Sequence, residues 1–585
     1  MDDPMKKSMA SLLAAGLLSL APAQALKNSH PWWESATIYE IYPRSFQDSK
    51  GTGLGDLNGI SARLDHIKNL GATAIWLTPI YVSPEVDFGY DISDYKNISP
   101  SYGNLKDFDR LISEAKKRNI KVIIDLVLNQ TSDQNPWFLE SKKSKNNPKS
   151  NYYIWVDPKG YDKAGKPIPP NNWQNWFGHS AWTYSEPRKQ FYYHGYTKEQ
   201  PDLNWHNPDV KTTMFDVMRF WLDRGVDGVR LDSIFMLYED PTLKDEPLLL
   251  DKNGKITKDA FGENATSQVL QGYQPELHPL MRDIRKLFDS YPGSRVLIGE
   301  TYGMDINGLD EWYGGAKKDE LQLPMDVILG IQDKDNNFVH LDVNLWRKNL
   351  SEVSTKIHGN EPLLVIDNHD NLRADRFCSK DFGAAPFANC ADIQKMLATV
   401  LLASRSSVLM YYGDEIGMTT NTPQRVEDVQ DPEGRAGWPK DKGRDAERTP
   451  MQWDTSLNAG FSNAKKTWLP VGTSYTSVNV QAEKLDPNSM FNWYKSLIKL
   501  KNTNDVIRYG NQDVIESGNP QILSFYRTYD GSRMLVATNF SSQPQQLAVP
   551  AKGKVVLQSF VGDVSSKDGY LIPPYGAMIL DLSEK

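Results

Sequence analysis

Short apolar runs alternate with amphipathic helical patterns from residue 37 to residue 412, and this alternation restricts the chain to an α/β architecture. Eight of the runs have the length and composition of buried strands. Eight β/α units in succession fit a closed barrel better than an open sheet, so the pattern predicts a (β/α)8 TIM barrel. The predicted strands are Thr37–Tyr42, Ala74–Leu77, Val122–Leu128, Gly228–Asp232, Val296–Glu300, Pro324–Ile328, Leu363–Asp367 and Ser407–Tyr412.

Two segments depart from this alternation. Residues 130–204 contain no clear β/α unit and are rich in Trp, Tyr, Pro, Asn and Lys, and a structureless loop of that length is uncommon. We therefore predict a subdomain inserted after the third strand, above the C-terminal face of the barrel, where the active sites of such barrels lie. Residues 505–585 carry short runs separated by Gly, Pro, Asn and Ser, which predicts an antiparallel β-domain. The barrel would take residues 30–129 and 205–504.

The first 25 residues have the pattern of a signal peptide. Lys6 and Lys7 form a positive region, an apolar stretch runs from Met9 to Ala21, and the segment Ala23–Ala25 matches a small-x-small cleavage site. A first helix of the fold is the alternative, but the cleavage pattern at the end of the stretch disfavours it. We expect residues 1–25 to be removed and the mature chain to be exported, to the periplasm or the extracellular space. No later stretch is long and apolar enough to span a bilayer.

Charge and cysteine content narrow the possible partners. The net charge of −8 and the lack of a Lys/Arg run oppose binding to nucleic acid or to an anionic membrane. The chain has two cysteines, Cys378 and Cys390, and an exported chain meets oxidising conditions. A disulfide between them is favoured over two free thiols. The sequence leaves the oligomeric state open.

Carboxylates stand at the ends of three predicted strands. Asp232 ends the fourth strand, Glu300 ends the fifth, and Asp370 follows the seventh. One such residue could cap the next helix, but three of them at one barrel mouth are better explained as an active site. A retaining glycosidase uses one carboxylate as nucleophile and a second carboxyl group as acid and then base. Arg230 shares a strand face with Asp232, and its positive charge would keep that carboxylate ionised.

The motifs that carry these residues resemble those of family 13 glycoside hydrolases, the α-amylase superfamily, and most of all its exo-acting α-glucosidase and oligo-1,6-glucosidase branch. The resemblance begins at about Trp32, continues to the end of the chain, and keeps the family's order and spacing of motifs. The matching segments are Ile41–Phe46, Asp87–Asp91, Asp125–Gln130, Gln200–Asn204, Gly228–Asp232, Gly299–Glu300, Asn368–Asp370, Tyr411–Gly417 and Gly443–Trp453.

The resemblance implies a role for each site residue. Asp232 would be the nucleophile, Glu300 the acid/base, and Asp370 the stabiliser of the transition state. Asp91 and Arg373 would pair and grip the non-reducing end of the sugar, which implies release of one glucose at a time from a small α-glucoside. The predicted substrate-binding residues are Tyr90, Asp91, Gln130, Arg230, His369 and Arg373.

Three positions depart from the family pattern. Gln130 stands where the family usually has a His that hydrogen-bonds the terminal glucose. In the loop from Asp48 to Asp56, where the family often binds calcium, Lys50 replaces an oxygen-bearing residue; we expect no calcium and no other cofactor, with the Lys50 ammonium in the place of the ion. Ser233, directly after the nucleophile, is small, which by analogy accompanies α-1,4 or sucrose-type bonds.

The preferred linkage and the reaction outcome stay open. The segment Gln200–Asn204 is the oligo-1,6-glucosidase version of its motif and disagrees with the cue from Ser233. A sucrose isomerase is the second enzymatic hypothesis, although residues 330–336 lack that group's Arg-Leu-Asp-Arg-Asp loop, and a trehalose synthase is a weaker form of the same idea. A transporter-associated homologue without activity is the non-enzymatic alternative; the catalytic acids present here oppose it.

Overall fold

A computed structural model describes residues 30–259, 262–386, 388–548, 553–567 and 569–583, so the predicted signal peptide lies outside the described residues. Eight parallel strands close into a barrel and alternate with helices, which confirms the predicted (β/α)8 fold. The strands are β1 (Thr37–Ile41), β2 (Ala74–Leu77), β3 (Lys121–Val127), β4 (Gly228–Asp232), β5 (Val296–Gly299), β6 (Leu323–Asp326), β7 (Leu363–Leu364) and β8 (Ser407–Tyr411). The principal helices that follow them in turn are α1 (Leu57–Leu70), α2 (Leu105–Lys117), α3 (Pro208–Asp223), α4 (Leu277–Asp289), α5 (Ile306–Trp312), α6 (Val343–Lys356), α7 (Cys390–Ala403) and α8 (Met490–Thr503).

The barrel closes because β1 pairs in parallel with both β2 and β8. Alternate residues of the strands, among them Ile38, Trp76 and Ile298, pack into one buried apolar cluster inside the barrel. Arg230 of β4 takes an interior position as well, with its guanidinium carbon 5.1 Å from the centre of the Trp76 ring. Since side chains alternate along a strand, Asp232 lies on the same interior face, at the C-terminal end of the barrel.

The inserted subdomain leaves the barrel after β3 and returns before α3. It contains one short helix, a three-stranded antiparallel sheet and a two-stranded hairpin. Its small core is aromatic, built on Trp173, Trp182, Phe191 and Tyr193. The helix is Pro136–Ser141, the sheet strands are Trp155–Val156, Gln190–Tyr193 and Trp182–Ser185, and the hairpin strands are Gly160–Tyr161 and Pro167–Ile168.

A second excursion, which the sequence analysis does not predict, lies between β4 and α4. Its backbone forms isolated bridges that pair Leu248 with Thr266 and Leu250 with Ile256. The excursion touches the inserted subdomain, because the indole of Trp173 donates to the Lys244 carbonyl at 2.8 Å. Residues 205–504 therefore contain more than barrel elements.

The C-terminal region forms the predicted antiparallel β-domain. The helix Asp505–Tyr509 precedes its first strand, so the β-structure starts later than residue 505. A second sheet of three strands, Gln545–Leu547, Gly569–Ile572 and Ser565–Ser566, adjoins the main one. The main sheet contains β9 (Asn511–Ile515), β10 (Ile522–Tyr529), β11 (Ser532–Asn539), β12 (Lys554–Gln558) and β13 (Ala577–Asp581), in the order β9-β10-β11-β13-β12.

Two further sequence expectations concern the cysteines and the membrane. Cys378 and Cys390 form a disulfide that ties the segment after β7 to the first residue of α7. Across the described ranges, every helix is too short or too polar to cross a bilayer.

Candidate active site

A cavity of about 340 Å³ opens at the C-terminal end of the barrel strands. An outer cleft of about 2050 Å³ continues from it toward solvent, between the inserted subdomain and the excursion after β4. The two spaces share five wall residues, Tyr196, Ser233, Glu300, Asp370 and Arg444. The inner cavity is lined by Asp87, Tyr90, Gln130, Tyr196, Asp232, Ser233, Glu300, Asp370 and Arg444.

The fully buried guanidinium of Arg230 brings the two predicted catalytic carboxylates together. Its Nη1 donates to Asp232 Oδ1 at 2.6 Å and to both oxygens of Asp125, at 2.9 and 3.0 Å. Its Nη2 lies 2.9 Å from Glu300 Oε2, an ion pair at an angle unsuited to a hydrogen bond. Asp232 and Glu300, which end neighbouring strands, therefore face each other across one cavity.

The charge of Arg230 favours the ionised form of Asp232, as the sequence analysis expects, but burial and the neighbouring carboxyl groups oppose it. Burial raises the pKa of Asp232 well above its usual value, and the attraction of Arg230 opposes this incompletely. Arg230 also contacts Asp125 and Glu300. The negative charges of these two groups raise the pKa of Asp232 further. A single guanidinium thus contacts three carboxyl groups.

His369 forms the floor behind the cavity and is fully buried. Its Nδ1 lies 2.6 Å from Glu40 Oε1, and its Nε2 lies 2.5 Å from the Tyr90 hydroxyl and 3.1 Å from Asp370 Oδ2. Burial alone would lower the pKa of His369, but the charges of Asp370 and Glu40 outweigh it and raise the pKa to about 9. His369 is therefore an imidazolium at neutral pH, held between two carboxylates.

Asp370 is the member of the predicted catalytic set whose pKa is lowered. Burial alone would raise its pKa, but the charges of His369, Arg444 and Arg448 hold the pKa well below its usual value. Arg448 Nη2 donates to Asp370 Oδ1 at 2.5 Å, and Arg444 Nη1 donates to the same oxygen at 3.1 Å. A permanent negative charge at the cavity wall suits the stabilisation of a positive, oxocarbenium-like sugar.

The expected ion pair between Asp91 and Arg373 is wrong. Asp91 is buried outside the cavity, where its oxygens accept bonds from the Ser83 hydroxyl at 2.7 Å and from the amides of Val86 and Asp87 at 3.0 and 3.1 Å. These bonds fold the loop after β2 into a closed turn, so Asp91 shapes the loop rather than facing the sugar.

Arg373 likewise does not line the cavity and instead bonds backbone groups of two loops. Its guanidinium donates at 2.8 Å to each of the carbonyls of Tyr412 and Glu447, and it is fully buried. Those two bonds join the loop after β7 to the loop after β8.

The ion pair at the cavity wall is instead between Asp87 and Arg444. Arg444 Nη2 donates to Asp87 Oδ1 at 2.8 Å, and the same guanidinium reaches Asp370 and Asp431. Both residues lie inside motifs that the sequence analysis quotes, Asp87–Asp91 and Gly443–Trp453. The first motif has two aspartates four positions apart, and no sequence pattern indicates which of them faces the cavity.

Tyr196 is the cavity residue that the sequence analysis misses entirely. It follows the last strand of the inserted subdomain, 36 positions before Asp232, and hydrogen-bonds the hydroxyl of Ser233. No motif marks it, because its position depends on how the subdomain folds back over the barrel. Tyr90 and Gln130, both predicted, do line the cavity, and the Gln130 amide donates to the Tyr90 carbonyl at 3.2 Å.

The loop from Asp48 to Asp56 does not place Lys50 where the expectation requires. The Lys50 ammonium lies 3.3 Å from the Ser101 carbonyl, at the surface. The Asp48 carboxylate instead accepts the amides of Lys50, Gly51 and Gly53 at 2.7–2.8 Å, and the Asp56 carboxylate caps α1. Backbone N–H groups therefore occupy oxygens that a cation would otherwise bind.

Comparison with known proteins decides the family. Residues 40–510 match the catalytic domain of the α-amylases, and residues 513–579 match the C-terminal domain of maltogenic amylases. The chain belongs to the α-amylase family. This confirms the predicted resemblance and makes the chain an enzyme, a glycoside hydrolase.

Relatives of this α-amylase family member carry glucosidase names. It is 39% identical over 551 residues to an oligo-1,6-glucosidase of Parageobacillus thermoglucosidasius, covering 89% of this chain and 92% of that one. It is 36% identical over 548 residues to an α-glucosidase of Apis mellifera, covering 91% of this chain and 90% of that one.

Solved structures of the same family add glucosyl-transferring relatives. The isomaltulose synthase of Erwinia rhapontici NX5 superposes with a TM-score of 0.83 at 33% identity, covering 95% of this chain and 100% of that one. A structure described as an α-glucosyl transfer enzyme superposes with the same TM-score of 0.83 at 35% identity, covering 94% and 99% of the two chains.

Proposed function

We propose that this glycoside hydrolase is a retaining, exo-acting α-glucosidase that releases glucose from the non-reducing end of small α-glucosides. The observation that carries the proposal is that Asp232 and Glu300 contact one guanidinium, at 2.6 and 2.9 Å, and line one cavity. Retaining glycosidases place their two carboxyl groups about 5–5.5 Å apart, on either side of the bond that breaks, and contact with one guanidinium keeps Asp232 and Glu300 close enough to act on one sugar.

In the first step, an Asp232 oxygen attacks the anomeric carbon while the bond from that carbon to the glycosidic oxygen breaks. Glu300 gives its proton to the departing oxygen, so the aglycone leaves as a neutral alcohol. The product is a glucosyl ester of Asp232. Asp370, which is ionised, lies at the wall to stabilise the positive charge that develops on the sugar ring.

In the second step, water attacks the anomeric carbon and the ester bond to Asp232 breaks. Glu300, now a carboxylate, takes the proton from the water, which restores both groups to their starting state. Two inversions at the same carbon give net retention of the α configuration.

Exo action follows from the pair formed by Asp87 and Arg444. Both residues line the inner cavity, and a bidentate or bridging Arg–carboxylate arrangement fixes the orientation of a bound sugar. We propose that this pair grips the hydroxyl groups of the terminal glucose. A narrow cavity with such a pair in its wall takes one terminal sugar ring better than the interior of a polysaccharide.

Glucosyl transfer is the second candidate, and the outer cleft is the observation that favours it. The cleft of about 2050 Å³ adjoins the same Glu300 and is lined by aromatic side chains, including Trp176, Phe235 and Tyr273. A sugar held there could attack the glucosyl ester in place of water, as in an isomaltulose synthase, a trehalulose synthase or a trehalose synthase. The difference from hydrolysis lies only in the nucleophile of the second step.

The test is product analysis on p-nitrophenyl α-glucoside, sucrose, maltose, isomaltose and trehalose, with the Asp232→Asn variant as control. We expect α-glucose as the first product and no release by the variant. β-Glucose as the first product would exclude the retaining mechanism. Disaccharide products from sucrose would favour the transfer alternative.

We also propose that the enzyme is exported after removal of residues 1–25 and that it works without calcium. N-terminal sequencing of the protein recovered from the periplasm or medium tests the first proposal, with a start near Leu26 expected. The second proposal is supported by the carboxylates of Asp48 and Asp56, whose oxygens already accept hydrogen bonds from backbone N–H groups. It does not depend on the position of Lys50.

A further inference from the structure

Two hydroxyl groups connect the inserted subdomain to the proposed acid/base. The phenol of Tyr196 is hydrogen-bonded to the hydroxyl of Ser233. That hydroxyl lies 3.4 Å from Glu300 Oε2, and the Ser233 amide donates to the same oxygen at 2.8 Å. Tyr196, Ser233 and Glu300 all line both the inner cavity and the outer cleft, so they surround the passage where a glycosidic bond would cross from one to the other.

The direction of the hydroxyl chain follows from the groups at its ends. A carboxylate oxygen can only accept, so the Ser233 hydroxyl donates to Glu300 Oε2 and its own oxygen accepts from Tyr196. Burial raises the pKa of Tyr196 well above its usual value, and the charges of Asp232 and Glu300 raise it further, so the phenol keeps its proton. Donation therefore runs from the subdomain to the catalytic carboxyl group.

The backbone of Ser233 supports this arrangement. Its φ of 41° and ψ of 42° lie in the left-handed region, which a residue with a side chain seldom adopts. Such strain persists where the surrounding structure imposes it, often at functional sites. In this conformation the amide and the hydroxyl of Ser233 both reach Glu300 Oε2, and Arg230 makes only an angled ion pair with that oxygen.

We propose that Tyr196 and Ser233 act as a positioning relay for Glu300. The relay fixes Oε2 as the oxygen that carries the negative charge and leaves Oε1 to carry the proton exchanged with the substrate. No proton travels along the relay: the proton passes from Oε1 to the glycosidic oxygen in the first step and returns from water in the second. The inference rests on the proposed acid/base role of Glu300.

Other charged or titratable groups also face Glu300 and set the background against which the relay acts. They come from β3, β4 and the loops after β4 and β5. Apart from Tyr196 itself, they are Asp125, Arg230, Asp232, Tyr273 and Tyr302.

The test compares the pH dependence of kcat/KM in the full-length wild type with that of Tyr196→Phe and Ser233→Ala. Removing a hydrogen-bond donor from a carboxylate disfavours its ionised form, so the high-pH limb should move upward by about half to one pH unit. Tyr153→Phe is the matched control. Its phenol is also buried in the subdomain, but it bonds to Thr131, and the limb should stay in place.

The double variant separates a relay from two independent contacts. In a relay, Ser233→Ala already disconnects Tyr196, so the double variant should shift the limb no further than Ser233→Ala alone. An unmoved limb in both single variants, or shifts that add in the double variant, would overturn the proposal. Circular dichroism checks the fold of each variant, and Ser233→Ala carries the test alone if Tyr196→Phe fails to fold. The wild type and Asp232→Asn, assayed beside them, test the proposed function separately.

Discussion

Asp87 and Asp91 offer a direct test of which aspartate meets the sugar. The two residues lie four positions apart in one loop, both buried, and only Asp87 lines the cavity. We therefore predict that Asp87→Asn impairs catalysis while the same substitution at Asp91 mainly impairs stability. Each change removes one charge and keeps the side-chain shape, so the pair is matched.

The expected loss at Asp87 can be worked from its contacts. A hydrogen bond to a charged group contributes about 1.5–3 kcal/mol and a neutral one about 0.5–1.5 kcal/mol, so neutralisation removes about 1–1.5 kcal/mol per bond. Asp87 bonds Arg444 at 2.8 Å, and the proposed glucose hydroxyl adds a second such bond. Only the bond to the glucose forms between the free enzyme and the transition state, so the loss of about 1–1.5 kcal/mol corresponds to a fall of roughly 5- to 12-fold in kcat/KM.

The expected loss at Asp91 is one of folding free energy. Its Oδ2 accepts the Val86 amide at 3.0 Å, and an Asn in the same place can leave that buried N–H facing another donor. A buried donor without a partner costs about 1–3 kcal/mol. We expect a loss of that size in the free energy of unfolding, with kcat/KM reduced far less than in Asp87→Asn.

The assay is hydrolysis of p-nitrophenyl α-glucoside at neutral pH, with urea unfolding of the same preparations. A larger fall in kcat/KM for Asp91→Asn than for Asp87→Asn would refute the assignment of the cavity wall. Equal falls in both would show that the loop acts as one unit and that the individual contacts do not determine binding.

Four further outcomes are expected. Glu300→Gln should lose about 100- to 10,000-fold in kcat/KM on maltose-type substrates and less on p-nitrophenyl α-glucoside, whose leaving group needs no proton; equal losses on both would contradict the acid role. Gln130→His should change turnover or glucose affinity, and identical kinetics on all five substrates would refute this. Chelation by EDTA should leave the Tm unchanged, because backbone amides occupy the Asp48 carboxylate; a lower Tm would reveal a bound cation. The pKa of His369 is raised to about 9, so its contribution of up to about 3 kcal/mol is complete below pH ~6.5 and is lost as the pH rises through 9; urea titrations should show that decline, and a His369→Asn variant with the same decline would contradict it.

The sequence predicts the barrel and the strand-end positions of Asp232 and Glu300 well, because both depend on local patterns. Each predicted strand appears in the barrel, and Asp232 and Glu300 stand at strand ends, where parallel topology leaves little choice of place. A barrel collects such positions at one mouth whatever the loops do. The family motifs then supply the chemistry that the pattern alone leaves open.

Loop geometry is what the sequence could not supply. Whether Asp87 or Asp91 faces the cavity depends on a turn that is closed by the Ser83 hydroxyl and two amides. Such a turn leaves no periodic pattern in the sequence. Tyr196 reaches the site only through the tertiary fold of the inserted subdomain. The ionisation of Asp232 depends on how many carboxyl groups share Arg230, and that number is a property of three strands together.

The sharing of Arg230 has a consequence for the order of chemical events. In the proposed mechanism, Asp232 carries no charge once it is esterified by glucose, and the guanidinium of Arg230 then faces two carboxyl groups instead of three. Glu300 has by then lost its proton to the aglycone. Because one neighbouring negative charge has gone, its carboxylate form is favoured, and it can act as the base when water attacks. Bond formation at Asp232 would thus favour the base form of Glu300 in the second step.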